Sequence, residues 1–174
     1  MDTYMNIAAP ARRTIVVGDI HGCIEELWDL LAQTGFCDQD LLVTVGDMVD
    51  RGPDSWGVAR FFRETPNAFC CMGNHERRVA GTVRGTSLPA WTQKQTLSLL
   101  PHEEQEDWAN WFAGLPLVIE TPHAIVTHAR LDPALPLDAQ EERHTCGVGG
   151  PMVVVEQDQH GVPLWFHRKD YAKP

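Results

Sequence analysis

The sequence has no long apolar run, and no stretch approaches the roughly 20 residues that a membrane-spanning helix requires. The first residues, MDTYMNIAAPARRT, also lack the apolar core of a signal peptide. We therefore expect no membrane partner and predict a cytoplasmic protein. The chain has 174 residues, of which 43% are hydrophobic and 22% charged, and these values suit one globular domain over residues 1–174.

Cysteine is scarce and shows no metal-binding spacing. The five cysteines, at positions 23, 37, 70, 71 and 146, include no C-x-x-C pair, and their number is odd. A disulfide framework and a tetrahedral zinc site are therefore not expected. We predict free thiols that are largely buried.

Positive charge is also in short supply. The chain carries 14 Lys and Arg against 24 Asp and Glu, a formal net charge of −10. A protein that binds the nucleic acid backbone would need a basic face, so that function is not expected. An acidic protein can still act on phosphate groups if bound cations supply the positive field.

Four short apolar runs are each followed by a polar cluster. Residues 14–17 lead to GDIHG, 41–45 to GDMVDRGP, 68–72 to GNHE and 124–127 to HAR. Continuous apolar runs of this length are typical of strands buried on both faces of a sheet. Residues 152–155 and 162–166 resemble two further strands.

Helical patterns lie between these strands. Apolar residues spaced i, i+3, i+4 and i+7 predict helices over 23–34 and 102–113, and Asp54 starts a third over 54–63. Residues 84–100 are partly helical. Strand alternating with helix predicts an α/β fold, in which ligands collect at the carboxyl ends of the strands.

The polar clusters supply metal ligands at those strand ends. Each cluster alone is more typical of a turn or of a buried polar residue than of a metal site. Together they offer five oxygen and nitrogen ligands, which suit a centre of two divalent ions: Asp19, His21, Asp47, Asn74 and His128. In such a centre one carboxylate bridges the ions, and a bridging water becomes hydroxide near neutral pH.

The motifs GDIHG, GDMVDRG and GNHE, in this order and spacing, resemble those of the calcineurin-like metallophosphoesterases. Within this family they resemble the phosphoprotein phosphatase branch, which includes bacterial serine/threonine protein phosphatases and symmetrical diadenosine tetraphosphatases. The resemblance runs from about residue 14 to about residue 140. It implies a sandwich of mixed β-sheets flanked by helices.

The resemblance also implies a role for each ligand. Asp19 and His21 would bind one metal, Asp47 would bridge both, and Asn74 and His128 would bind the second. Mn is the preferred identity of both ions, and Fe and Zn are the alternatives.

Three further residues take catalytic roles by the same resemblance. Arg51 would hold the phosphate, assisted by Asn74, because a guanidinium matches phosphate oxygens bidentately. His75 would protonate the leaving oxygen, and Asp50 would orient His75.

The sequence departs from the family pattern in two places. Arg130 stands where the family usually has Gly, and it is either a second phosphate-binding residue or a surface Arg. The family's later Gly-His motif, whose His is a further ligand of the first metal, is not found. Either the chain is a C-terminally truncated member, or one of three other histidines replaces that ligand: His144, His160 or His167.

The predicted function is therefore a metal-dependent phosphoesterase that attacks phosphomonoesters with a metal-bridging hydroxide. Its substrate would be a phosphorylated Ser or Thr of a protein, or a small phosphoester. Two alternatives stay open: a dinucleoside polyphosphate hydrolase, and an impaired homologue that binds phosphate without a complete dimetal site.

Overall fold

The computed structural model describes residues 3–8 and 10–147. Its six strands are β1 Tyr4–Asn6, β2 Thr14–Val17, β3 Leu41–Thr44, β4 Ala68–Cys70, β5 Val118–Glu120 and β6 Ile125–Thr127. Its helices are α1 Ile24–Thr34, α2 Ser55–Glu64, α3 Asn74–Val83, α4 Trp91–Ser98, α5 His102–Ala113 and the short α6 Glu142–Thr145. A 3-10 turn covers Leu137–Ala139. The predicted strands 152–155 and 162–166, with His160 and His167, lie outside the described residues.

The strands form two sheets of three. One sheet has the order β2-β3-β4 and is wholly parallel. The other has the order β1-β5-β6, with β1 parallel and β6 antiparallel to β5. This arrangement confirms the predicted α/β fold with mixed sheets.

Successive side chains of β3 point to opposite faces of the sheet, and each face contributes to a different part of the core. Val43 packs in the cluster between the sheets, with Ile119 of β5 and Val126 of β6. Leu42 points to the other face and packs among the helices, in the cluster that includes Phe62 and Phe112. Burying each such side chain stabilises the fold by roughly 1.5–3 kcal/mol, so β3 anchors the sandwich from both sides.

Three helices agree with the predictions to within one residue. Helix α1 ends at Gly35, whose left-handed φ of 61° stops the helix. Helix α2 begins after Asp54, whose carboxylate accepts a hydrogen bond from the Gly57 N–H. In α5, Trp108 and Phe112 are buried as expected.

Two side chains are more exposed than predicted. Val16 of β2 is 46% exposed, because β2 is the edge of its sheet within the described residues. Trp28 of α1 is 50% exposed, because the buried stripe of that helix consists of Ile24, Leu27 and Leu31. Both were expected to be buried.

All five cysteines are free, as predicted. Cys70, Cys71 and Cys146 are buried, and burial raises the pKa of Cys71 and of Cys146 to about 12. None of the helices in the described ranges has the length and hydropathy needed to cross a membrane.

Candidate metal centre

The turn after β3 has an unusual backbone. Residues with a left-handed φ are uncommon unless they are glycine. In residues 3–8 and 10–147, the four non-glycine residues with positive φ are all predicted site residues: His21 at 47°, Asp47 at 53°, Asp50 at 71° and Arg51 at 70°. Strained backbone of this kind persists where the surrounding structure enforces it, and it is concentrated at functional sites.

Close backbone approach enforces these conformations. Gly52 lies against the preceding loop, where a Cβ atom would come within 2.0 Å of the His21 carbonyl oxygen. Gly46 has a φ of 117°, and a Cβ there would lie 2.7 Å from the Gly73 nitrogen. Glycine is therefore required at both positions so that three strand ends can meet.

Glu76 of α3 fixes the turn from inside. It is fully buried and accepts backbone hydrogen bonds from Asp47 and Gly73 at Oε2, at 2.8 and 3.1 Å. Its Oε1 accepts from Met48 and Val49 at 2.7 and 3.2 Å. Burial, together with the charge of Asp47, raises the pKa of Glu76 to about 7. One carboxylate therefore ties the ends of β3 and β4 together.

His21, near this turn, has a defined tautomer. His21 Nδ1 lies 2.9 Å from the Val49 carbonyl oxygen, and a carbonyl can only accept. The proton of His21 is therefore on Nδ1, and Nε2 presents a lone pair to the centre. Nε2 lies 3.8 Å from Asp19 Oδ2 and 3.7 Å from Asp47 Oδ2. Such an imidazole, fixed by its other nitrogen, is typical of a metal ligand.

His75 forms a buried pair with Asp50. The distance from His75 Nδ1 to Asp50 Oδ2 is 2.6 Å. Burial lowers the pKa of His75, but the hydrogen bond to Asp50 and the charges of Asp47 and Asp50 outweigh it, so that the pKa is raised. Burial raises the pKa of Asp50, and hydrogen bonds outweigh this effect as well, so that the pKa is lowered. Since a carboxylate accepts, Asp50 holds a proton on His75 Nδ1.

Arg51 lies against both imidazoles. Its Nη1 is 2.8 Å from His21 Nε2, and its Nη2 is 3.2 Å from His75 Nε2. A guanidinium only donates, so it contributes a fixed positive charge at the mouth of the centre.

Asp47 occupies the middle of the centre. Asp47 belongs to two sets of three residues whose potential ligand atoms all lie within 4.8 Å of one another. One set is His21, Asp47 and His75, and the other is Asp19, Asp47 and His128. The predicted pairing of Asp19 with His21 is also close, at 3.8 Å. Asp47 is 3% exposed, so its carboxylate faces these groups rather than solvent.

His128, at the end of β6, completes the other side. Its Nε2 lies 2.9 Å from Asn74 Oδ1 and 3.6 Å from Asp47 Oδ1. Its Nδ1 is buried, has no hydrogen-bond partner among the described residues and faces Asp19 Oδ1 at 4.0 Å. A buried nitrogen without a partner is costly. A divalent cation between these carboxylate and imidazole atoms would satisfy it, so the donor set fits such an ion.

Two predicted residues are not part of this convergence. The backbone N–H of Arg130 donates to the His144 carbonyl, at 3.3 Å, and its side chain makes none of the contacts described above. His144 Nδ1 lies 3.4 Å from Asp132 Oδ2, and His144 belongs to neither ligand set.

Two residues next to the centre were not predicted. Gln93 and Thr96 of α4 are buried and both donate hydrogen bonds to Asp50. The sequence WTQKQTLS has no apolar periodicity that would reveal which face is buried, so only the contacts identify them.

Comparisons with known proteins identify the family of this chain. A family model described as calcineurin-like phosphoesterase matches residues 12–169. A symmetrical bis(5'-nucleosyl)-tetraphosphatase of Actinobacillus pleuropneumoniae is 35% identical over 124 residues, covering 69% of this chain and 46% of its own. One of Vibrio vulnificus is 36% identical over 120 residues, with 68% and 44% coverage. The chain thus spans less than half the length of these curated relatives.

Solved structures show the same fold. One, described only provisionally as a diadenosine tetraphosphatase, has a TM-score of 0.71 and 32% identity, covering 84% of this chain and 63% of its own. A protein serine/threonine phosphatase from Saccharomyces cerevisiae has a TM-score of 0.63 at 22% identity, over 83% of this chain and 50% of its own. The family model covers most of the sequence, including every motif that meets at Asp47, and the chain therefore belongs to the calcineurin-like phosphoesterase family.

Proposed function

We propose that this chain is a metal-dependent phosphoesterase. The observation that carries the proposal is the position of Asp47, which is shared by two sets of ligand atoms while Arg51 lies against the adjoining imidazoles. A shared carboxylate beside a fixed guanidinium suits a substrate that brings negative phosphate oxygens to two cations.

The family implies divalent metal ions, and we propose manganese as the metal, with iron or zinc as alternatives. When bound, two such ions polarise a phosphoryl oxygen and lower the pKa of a coordinated water. Five residues would hold them: Asp19, His21, Asp47, Asn74 and His128.

Arg51 binds the phosphate and compensates its charge in this proposal. A guanidinium donates two parallel hydrogen bonds to phosphate oxygens, and Arg51 already directs Nη1 and Nη2 into the centre. The amide of Asn74, next to His128, assists in orienting the same group.

His75 acts as the general acid. Asp50 holds Nδ1, so Nε2 is the atom that carries a proton to the leaving oxygen. The raised pKa of His75 favours uptake of the proton at Nε2 that this step requires.

Two substrate classes fit this centre. A phosphomonoester, such as phosphoserine or phosphothreonine in a protein, is the class predicted from the sequence. The names of the curated relatives favour a dinucleoside tetraphosphate as the second candidate. A cytoplasmic location and a single domain over 1–174 also stay predictions.

The test is an assay of the purified chain with Mn²⁺. Phosphate release from p-nitrophenyl phosphate and from a phosphoserine peptide is compared with nucleotide release from diadenosine tetraphosphate. Asp47→Asn should lower turnover by roughly a thousandfold, since metal catalysis contributes several kcal/mol. The exposed Asp29→Asn is the matched control and should leave turnover unchanged.

The same samples test the impaired alternative. If the ligand set binds Mn²⁺, the metal should raise the melting temperature of the wild type and not that of Asp47→Asn. Binding without turnover of any of the three substrates would contradict the enzymatic proposal and support a phosphate-binding homologue. Absence of both binding and turnover would contradict the metal centre itself.

Arg130 has a separate test. If its side chain is a second phosphate-binding residue, Arg130→Ala should raise KM. Unchanged kinetics would identify it as a surface residue.

A further inference from the structure

Helix α4 is unusual because both of its fully buried side chains are polar, while its Leu97 is only partly buried against the core. Its two buried side chains are Gln93, which is 0% exposed, and Thr96, which is 3% exposed. Its one aromatic residue, Trp91, is 72% exposed. A helix normally packs through an apolar stripe, and burying polar side chains is costly unless each finds a partner. The partner of both residues is therefore the feature to explain.

That partner is a single carboxylate. Gln93 Nε2 donates to Asp50 Oδ2, the same oxygen that lies 2.6 Å from His75 Nδ1. Thr96 Oγ1 donates to Asp50 Oδ1 at 2.5 Å. Residues 93 and 96 are three apart and so share one face of the helix. Each oxygen of Asp50 is thus held from α4, and rotation of the carboxylate away from His75 would break both bonds.

Both donors are themselves held in place. The Gln93 Oε1 atom accepts a hydrogen bond from the Ala90 N–H at 3.1 Å, and this contact directs the amide nitrogen toward Asp50. The carbonyl of Thr96 accepts from Trp56 Nε1 at 2.9 Å. Trp56 belongs to the core cluster, so the position of Thr96 is fixed by the interior of the domain.

We propose that Gln93 and Thr96 are positioning residues for the general acid, which hold the Asp50 carboxylate in the orientation that His75 requires. The proposal rests on the phosphoesterase function given above. The donors are uncharged, so they orient Asp50 without competing with His75 as its cationic partner. Neither residue touches the phosphate, and their effect on catalysis passes entirely through the pair Asp50 and His75.

The kinetic test compares two leaving groups. p-Nitrophenolate leaves readily without protonation, whereas the phenolate of phenyl phosphate depends more on the acid. Gln93→Met and Thr96→Val remove the donors at similar volume. They should lower kcat for phenyl phosphate roughly tenfold, part of the 10²–10⁴ typical of general acid catalysis. The loss for p-nitrophenyl phosphate should be smaller, and KM should be unchanged.

Three controls separate positioning from a structural role. Thr96→Ser keeps the hydroxyl and should restore kcat, while Thr92→Val makes the same exchange one turn earlier in α4, at a residue that donates no hydrogen bond to Asp50, and should have no effect. In a His75→Asn background, Gln93→Met should cause no further loss. The proposal would be overturned if kcat fell equally for both leaving groups. It would also be overturned if Gln93→Met caused the same loss in the His75→Asn background as in the wild type.

A spectroscopic test does not depend on turnover. The imidazole Nδ1–H proton of His75 can be observed by NMR and assigned by its disappearance in His75→Asn. Gln93→Met and Thr96→Val should shift or broaden this signal, and Thr96→Ser should not. An unchanged signal in both variants would overturn the positioning role. Lack of turnover in the wild type would instead contradict the phosphoesterase function alone.

Discussion

Strand β3 has a buried carboxylate near each of its ends, and the two have different partners. Asp40 directly precedes the strand, and Asp50 follows it in the GDMVDRGP turn. Both side chains are 0% exposed. Arg12 and Arg13 both bind Asp40, whose oxygens lie 2.8 Å from Arg12 Nε and 3.2 Å from Arg13 Nη2. Asp50 has only neutral donors and one histidine.

The difference separates a carboxylate held by permanent cations from one that, in the proposed function, orients the general acid. Hydrogen bonds from Arg12 and then Arg13 hold the pKa of Asp40 well below its usual range. Arginine stays charged at physiological pH, so the Asp40 cluster has no proton to transfer. The partner of Asp50 is His75, whose proton can be transferred. A permanent cation at that end would hold the carboxylate equally well but would offer no proton.

The largest expected effect comes from replacing Asp50, the carboxylate for which we propose a catalytic role. Asp50→Asn should lower kcat by roughly 10²- to 10⁴-fold, because His75 loses the carboxylate that orients and charges it. Asp40→Asn is the matched substitution at the other end. Its turnover, measured on folded protein below its melting temperature, should stay within about twofold of wild type. Comparable losses of kcat in the two variants would contradict the distinction between the two carboxylates.

The next effect concerns stability. Asp40→Asn should lower the melting temperature by several degrees, because two guanidiniums lose their charged partner and the Cys37 N–H loses a strong acceptor. Thermal unfolding followed by circular dichroism checks this. An unchanged melting temperature would mean that the cluster contributes nothing to the fold.

A smaller effect depends on pH. The lowered pKa of Asp40 gives a stabilisation that is fully present above the unfolded-state pKa, about 3.9, and is lost as the pH falls through the folded value. The difference in melting temperature between wild type and Asp40→Asn should therefore be constant near neutral pH and should narrow below about pH 4. A melting-temperature difference that widens in acid would contradict this prediction.

The smallest effect comes from removing one of the two arginines. In Arg12→Ala, Arg13 still donates to both oxygens of Asp40. The fall in melting temperature should be smaller than in Asp40→Asn, and kcat should not change. A fall as large as that of Asp40→Asn would show that the two arginines act as one unit.

The sequence was informative where the chemistry is local. Each polar motif follows an apolar run, and parallel strands bring their carboxyl ends to one edge, so Asp19, Asp47 and Asn74 were expected to meet. Helices α1, α2 and α5 were predicted from their apolar spacing and end signals. These features depend on neighbouring residues, which a single sequence displays.

The elements and site residues that the sequence did not reveal depend on partners far away in the chain. Strands β1 and β5 have three residues each and pair with one another across more than 110 positions, so neither has a pattern of its own. Helix α3 was hidden because its segment, NHERRVAGTV, has a polar start and few apolar residues. Gln93 and Thr96 carry no hydrophobic signal at all, since what buries them is a carboxylate more than 40 positions earlier.

The bonds of Glu76 have a consequence for the motions of the folded protein. The amides of Met48 and Val49 donate to a side chain on α3 rather than to a neighbouring strand. They are buried, so solvent can reach them only after α3 has moved away. Their hydrogen exchange should therefore follow the opening of α3 and not the fraying of the turn. The proposed metal ligands that follow β3 and β4 would then be lost together, in one cooperative event.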